Sequence, residues 1–94
     1  MTVLLSDKTK EIEETMCNPK RPEIWQRVFD QVSKKYEDHI IGDVLKARYL
    51  KGQRVARTCI ELDISERLYF KYRAVILNAF TAGLIQEGVL KFYE

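Results

Sequence analysis

The sequence has few of the residues that build metal sites and disulfide frameworks. Of its 94 residues, two are cysteine and one is histidine. Cys17 and Cys59 are far apart, and neither has a second cysteine or histidine near it at metal-ligand spacing. This excludes a disulfide framework and gives no indication of a zinc site. We expect two reduced thiols, no metal and no cofactor.

The residue patterns of common catalytic sites are missing too. The sequence contains no phosphate-binding glycine loop, no nucleophile elbow and no credible Cys-His pair. His39, the only histidine, has no base or nucleophile beside it, so we interpret it as a surface residue. Glu11, Glu13 and Glu14 do not converge on one point of a helix, which favours a solvated face. We predict that the protein is not an enzyme.

Long hydrophobic runs are also absent. The longest apolar-rich stretch, residues 74–85, contains Asn78, Thr81 and Gly83 and is shorter than the ~20 residues that cross a bilayer. Charged residues begin at Asp7, which leaves no room for the apolar stretch of a secretion signal. We expect a cytoplasmic protein with no membrane partner.

What the sequence does contain is helical periodicity, with no strand-like alternation. Its hydrophobic fraction of 46% is that of a folded globule. We predict an all-α fold, a single small domain at 1–94 with about five helices. Leu5, Ile12 and Met16 indicate a first helix from about Asp7 to Cys17, with Ser6 or Asp7 as its N-cap.

Two further helices are predicted before residue 52. After a break at Pro19 and Pro22, a strong apolar stripe indicates a second helix from Glu23 whose stripe faces the core. Asp38 is the expected N-cap of the third helix, and Gly52 is expected to end it in left-handed geometry. The core-facing residues are Trp25, Val28, Phe29, Val32 and Tyr36 in the second helix, and Ile40, Ile41, Val44, Leu45 and Tyr49 in the third.

Between Gln53 and Phe80 the pattern predicts two helices that meet at a tight turn. Val55, Cys59 and Leu62 share the inner face of the first, where the small Cys59 allows close approach. Residues 63–65 form the turn, in which Ile64 fills the angle and Ser65 caps the next helix. The second helix turns Tyr69, Tyr72, Ile76, Leu77 and Phe80 inward and leaves Glu66, Arg67, Phe70, Lys71 and Arg73 toward solvent.

Charge is concentrated around this turn. From Lys46 to Arg73 there are eight basic residues and three acidic ones, although the whole chain has a net charge of only +2. A basic centre on an otherwise mildly acidic chain is typical of a face that meets a polyanion. Two packed helices of an ordinary bundle would explain the apolar spacing, but not this concentration of Arg and Lys.

An exposed helix of this kind fits the major groove of DNA. Arg67 suits guanine, Glu66 suits cytosine and Phe70 suits a thymine methyl, while Lys71 projects to the same side as Arg67. We predict base contacts by Glu66, Arg67, Phe70 and Lys71. The predicted phosphate contacts are Lys51, Arg54, Arg57, Ser65 and Arg73.

These residues also carry a resemblance. Residues 48–52 read RYLKG, and Ser65, thirteen residues after Gly52, lies in the run ISERLYFKYR at 64–73. The spacing resembles the fourth region of sigma factors, and the run is similar to the recognition helix of ArpU/RinA-type phage regulators. In such families the first, second, fifth and sixth residues after the capping serine address bases. The resemblance covers about Leu45 to Phe80 and implies a helix-turn-helix transcription regulator of phage or prophage origin that binds double-stranded DNA and contacts RNA polymerase.

Three residues depart from that motif. Thr58 stands where an apolar residue is usual, Asp63 stands where glycine is usual, and Arg54 replaces the common Ser or Thr cap. The resulting division of the chain is 1–45 for support or interaction, 46–82 for the helix-turn-helix and 83–94 for an apolar C-terminal segment. In that last segment Gly83 and Gly88 are expected to interrupt the chain. Its apolar residues, Leu84, Ile85, Val89, Leu90, Phe92 and Tyr93, are expected to cover the core or to pair with a second copy.

Two other functions fit the same pattern. A phage terminase small subunit would use this motif to recognise packaging DNA and would form a ring. A protein-only adaptor would dock through the stripe at Trp25 and Phe29 or through the C-terminal apolar segment. A homodimer would place two recognition helices about one DNA turn apart.

Overall fold

Five helices and one wide helical turn make up the described part of the chain. The computed structural model describes residues 6–90 and contains α1 (Ser6–Cys17), α2 (Glu23–Lys35), α3 (Ile40–Leu45), α4 (Val55–Leu62) and α5 (Glu66–Gln86). A π-helical turn, Lys46–Leu50, follows α3 directly. No strand occurs in this range. The predicted all-α fold of about five helices is therefore confirmed.

The last helix forms the centre of the fold, because α1, α2, α3 and α4 all pack against α5. Phe80 lies between α2 and the π-helical turn: its ring centroid is 5.8 Å from that of Phe29 and 5.4 Å from that of Tyr49. Of the residues predicted to turn inward from α5, Tyr72 is only partly buried. The other four, Tyr69, Ile76, Leu77 and Phe80, are buried.

The first two helices follow the sequence pattern closely. Helix α1 already includes Ser6, so Asp7 lies inside the helix and is not its cap. Ile12 and Met16 are buried as predicted, and the predicted contact of Leu5 lies outside the described residues. Helix α2 starts directly after Pro22. Its stripe faces the core: Val28, Phe29 and Val32 are buried, and Trp25 and Tyr36 are partly buried against them.

The cap of α3 differs from the prediction. His39, and not Asp38, is the N-cap: its Nδ1 accepts a hydrogen bond of 3.1 Å from the backbone N–H of Ile41. Asp38 instead adopts a left-handed backbone with φ of 63°. Asp is one of the residues that tolerate this conformation, which turns the chain out of α2 and moves the capping position one residue onward.

The third helix also ends earlier than its apolar pattern suggests. After Leu45 the chain widens into the π-helical turn, closed by a 3.0 Å hydrogen bond from the backbone N–H of Lys51 to the carbonyl oxygen of Lys46. Tyr49 remains buried, as predicted for the inner side. Gly52 ends the segment with φ of 68°, which confirms its predicted left-handed role.

The two glycines near the C-terminus behave differently from each other. Gly83 does not interrupt α5; a Cβ at this position would come within 2.6 Å of Val28, so glycine lets α2 and α5 approach closely. Gly88, with φ of 80°, does end the helix. Beyond it, Val89 and Leu90 pack against the core of the same chain, and Phe92 and Tyr93 lie outside the described residues. None of the helices in residues 6–90 combines the length and apolar character needed to span a bilayer.

We expect Gly42→Ala to destabilise the fold. Alanine normally stabilises a helix by about 1 kcal/mol relative to glycine. A Cβ at Gly42, however, would overlap the backbone carbonyl oxygen of Tyr36, which has little freedom to move. We therefore expect a loss of about 3 kcal/mol in the free energy of unfolding, measured by urea denaturation.

Gly52→Ala is the matched control, because a Cβ there meets no atom within 4 Å and the substitution carries only the left-handed backbone penalty, about 1 kcal/mol. Equal or higher stability of Gly42→Ala relative to the parent would contradict this account of the α2–α3 junction.

Candidate nucleic-acid interface

A three-residue turn joins α4 to α5. Asp63 takes the left-handed conformation, with φ of 54° and ψ of 50°, and so fills the role that glycine often has at a helix end. The backbone N–H of Ile64 donates to the carbonyl oxygen of Cys59 at 3.0 Å, and the Ile64 side chain packs against the core. Ser65 caps α5: its Oγ accepts a 3.1 Å bond from the backbone N–H of Leu68. The predicted turn at residues 63–65 and the predicted Ser65 cap are confirmed.

Helix α4 presents a buried inner face to α5. Cys59 is buried there, and burial raises the pKa of its thiol. Thr58 is fully buried as well, and its hydroxyl donates a 3.0 Å hydrogen bond to the carbonyl oxygen of Arg54. A polar residue is therefore accommodated at a usually apolar position, since its hydroxyl has a partner. Arg54 occupies the N-cap without a side-chain capping bond.

The four predicted base-contact residues lie on the first two turns of α5. All of them, Glu66, Arg67, Phe70 and Lys71, are exposed. Phe70 is 49% exposed, and the edge of its ring meets Tyr69 at a centroid distance of 5.1 Å. Among the residues that the structure describes, no carboxylate forms a salt bridge with Arg67 or Lys71. Both cations are thus available to an outside partner.

The predicted phosphate contacts have different surroundings. Ser65, Arg54 and Arg57 are exposed, and within residues 6–90 neither arginine takes part in a salt bridge. The Lys51 ammonium lies 3.6 Å from a carboxylate oxygen of Glu61, and both side chains are exposed. An exposed pair of this kind contributes little to stability and is easily exchanged for another partner.

Arg73 has a different environment from the one predicted. The sequence pattern predicts that Arg73 faces solvent. In the structure its Nε and Nη2 donate to the two carboxylate oxygens of Glu13 at 2.8 and 2.9 Å. The Glu13 side chain is only 16% exposed, so the predicted solvated position of Glu13 is wrong. The two-pronged bond ties α1 to α5 and satisfies the Arg73 guanidinium within the fold.

The contact between α1 and α5 also includes the π-helical turn. The Tyr49 hydroxyl donates a 2.9 Å hydrogen bond to Glu13, and burial raises the pKa of that hydroxyl. Burial alone would raise the pKa of the Glu13 carboxyl. The hydrogen bonds from Arg73 and Tyr49, together with the charges of Arg73 and Arg48, hold that pKa below its usual value. Glu13 is therefore a partly buried anion with its partners in place.

Glu13 is the residue that the sequence pattern missed. Its position beside the buried Ile12, at the border of the apolar face of α1, is the only local signal. Its partners Tyr49 and Arg73 are 36 and 60 positions away in the chain, so no spacing rule connects them.

Comparison of the chain with protein-family models, with curated proteins and with solved structures found no match. The residues and their geometry are therefore the basis for any functional conclusion.

We expect Glu13→Gln to lower the free energy of unfolding at pH 7 by about 2–3 kcal/mol, since a neutral amide replaces the charged acceptor of Arg73. The lowered pKa of Glu13 means that its stabilising effect is present above its usual pKa and is lost as the pH falls through the lowered value. The difference between parent and variant should therefore shrink in acid. Urea denaturation at several pH values measures it.

Glu14→Gln is the matched control, because Glu14 is exposed on the same helix and its loss should cost less than about 0.5 kcal/mol. A difference between Glu13→Gln and the parent that stays constant from neutral to acidic pH would rule out the charged pair as its cause.

Proposed function

We propose that this chain is a sequence-specific, duplex DNA-binding transcription regulator without catalytic activity, with a sigma-like helix-turn-helix of the ArpU/RinA type. One observation carries the proposal. Arg67 and Lys71 are exposed and form no salt bridge with any described residue, on the two helical turns that follow the Ser65 cap. Exposed cations on the first turns of a helix are what a groove-reading helix requires.

The dimensions of the groove and the helix agree. The major groove is about 12 Å wide and admits a helix of about 10–12 Å diameter. Farther along α5, Ile76, Leu77, Phe80 and Leu84 are buried. Only the first two turns carry charged side chains outward, so we infer that α5 enters the groove by its N-terminal end. Arg67 and Lys71 then reach base edges, with Glu66 and Phe70 beside them.

Phosphate contacts follow from the same orientation. The N-terminal end of a helix attracts anions through its free backbone N–H groups. The Ser65 Oγ already accepts a bond from Leu68, and its own hydroxyl hydrogen remains for a phosphate oxygen. Arg54 and Lys51 supply positive charge at the start of α4.

Two predicted phosphate contacts are left out of the proposed set. Arg73 is left out because Glu13 already holds its guanidinium. Arg57 is left out because it shares a surface depression with Ile60, which is 81% exposed. A phosphate held there would lose hydration against an apolar side chain.

A transcription regulator of the phage or prophage type acts in the cytoplasm, and RNA polymerase is a candidate partner. Selection of bound fragments from random duplex DNA, with the native mass measured on the same sample, tests the proposal. A palindromic consensus indicates a homodimer, and a single asymmetric site indicates a sigma-like monomer. A ring-sized assembly would instead indicate the terminase small subunit. Failure to enrich any sequence contradicts the proposal.

We expect Arg67→Ala to weaken binding to the selected duplex by about 1–3 kcal/mol and to relax the preference at one base position, because Arg67 reads a base edge. Fluorescence anisotropy with the selected and a scrambled duplex measures both effects. Arg27→Ala is the matched control: Arg27 pairs with Glu87 just beyond the far end of α5, roughly 30 Å from Ser65. Equal losses in the two variants would show nonspecific attraction only.

Arg54→Ala should act differently, since a phosphate contact carries no sequence information. We expect similar weakening for every duplex and a slope of log affinity against log salt that is smaller in magnitude by about 0.9. An unchanged slope would remove Arg54 from the interface.

A further inference from the structure

Helix α4 carries a second surface, which we call the α4 patch. It is an open depression lined by Gln53, Arg57, Ile60 and Glu61. The patch lies on the outer side of α4, because Thr58 and Cys59 occupy the inner side. It is separate from Arg67 and Lys71, the residues on which the proposed DNA contact rests.

Ile60 is the most exposed large apolar side chain of the described residues. It is 81% exposed, whereas Leu50 is 56% and Phe70 is 49% exposed. Single exposed apolar residues are common on protein surfaces. Ile60 is distinguished by its surroundings, because a cation, a carboxylate and an amide line the same depression. An apolar centre with a polar rim is the arrangement of a protein-binding surface.

The charges of the patch are unevenly satisfied. Glu61 accepts a 2.7 Å hydrogen bond from Gln53 Nε2 and lies 3.6 Å from Lys51. These contacts, the Gln53 bond first, and the nearby charge of Arg57 lower the pKa of Glu61. No salt bridge within residues 6–90 includes Arg57. With Lys51 and Arg57 near the single carboxylate of Glu61, the net charge around the patch is positive, which favours a partner with carboxylates.

Gln53 adds a third feature. Its Oε1 is shielded from solvent and has no donor among the described residues, while its Nε2 is held by Glu61. An unsatisfied acceptor is costly, and an N–H that reached Oε1 while Glu61 keeps Nε2 would satisfy it. A polypeptide supplies such donors, whereas a phosphate group at neutral pH supplies acceptors.

We propose that the α4 patch is a docking site for an acidic amphipathic segment of a partner protein, which places an apolar side chain on Ile60, a carboxylate on Arg57 and an N–H near Gln53. This goes beyond DNA binding and does not depend on it. An apolar side chain at the centre favours protein over duplex DNA, because the phosphate backbone offers no apolar cover for Ile60.

The test uses the full chain and a synthetic peptide that repeats Leu and Glu at helical spacing. We expect the peptide to shift the ¹H–¹⁵N resonances of Ile60, Arg57 and the Gln53 side-chain amide. We also expect Ile60→Ala to weaken peptide binding about tenfold in fluorescence anisotropy. A peptide with Lys in place of Glu should not bind, since Arg57 would repel it.

Separate variants distinguish this proposal from DNA binding. Ile60→Ala should leave duplex affinity and the free energy of unfolding unchanged, since the side chain is mostly exposed. Arg67→Ala should leave peptide binding unchanged. Leu50→Ala, a change at another exposed aliphatic residue, is the matched control for peptide binding. If duplex binding fails while peptide binding behaves as described, DNA recognition is refuted and the docking site remains.

Three results would overturn the docking site. The first is no binding of the acidic peptide at millimolar concentration. The second is binding that Ile60→Ala leaves unchanged or whose resonance shifts lie away from α4. The third is an Arg57→Ala variant whose DNA salt slope falls as much as that of Arg54→Ala, which would assign Arg57 to phosphate.

Discussion

The packing of four helices against α5 is the constraint on which the rest of the structure depends. At 21 residues α5 is roughly 30 Å long, and the longest dimension of the described chain is 38 Å. A helix of this length in so small a fold buries one face and leaves an exposed strip, which runs from Arg67 and Lys71 through Ala74, Asn78 and Ala82. The charged side chains of that strip lie at its N-terminal end. An anionic ligand of α5 should therefore contact that end.

Features set by neighbouring residues could be predicted from the sequence. The stripe of α2, the turn at residues 63–65 and the Ser65 cap depend on residues a few positions apart, where periodicity and capping rules apply. The choice between Asp38 and His39 could not be made in this way. Both side chains can cap a helix, and the left-handed turn at Asp38 decides between them. The role of Gly83 could not be predicted from neighbouring residues either. The sequence does not show that α5 continues through this glycine, which allows the close approach of Val28.

In the candidate sites, too, the sequence predicts relations between neighbouring residues but not contacts between distant ones. Arg67 and Lys71 could be predicted as exposed because a helix places residues four apart on one side. The bond between Glu13 and Arg73 could not, because the two residues meet only after α1 has packed on α5. The α4 patch could be predicted only in part. Ile60 is an apolar residue on the polar side of α4, which the sequence shows, but its depression depends on where the preceding loop places Gln53.

The π-helical turn also restricts how relatives of this chain can vary in length. An α-helical turn closes a hydrogen bond over four residues, whereas Lys46 and Lys51 close one over five. Deleting one residue between Lys46 and Tyr49 would change the position of Tyr49 in this turn and move its hydroxyl away from Glu13. In the loop at residues 18–22, Arg21 is held by Met16, Gln26 and Phe29, whereas residues 18–20 are exposed. Insertions and deletions accepted during evolution should therefore accumulate before Arg21, while the spacing from α3 to α4 stays fixed.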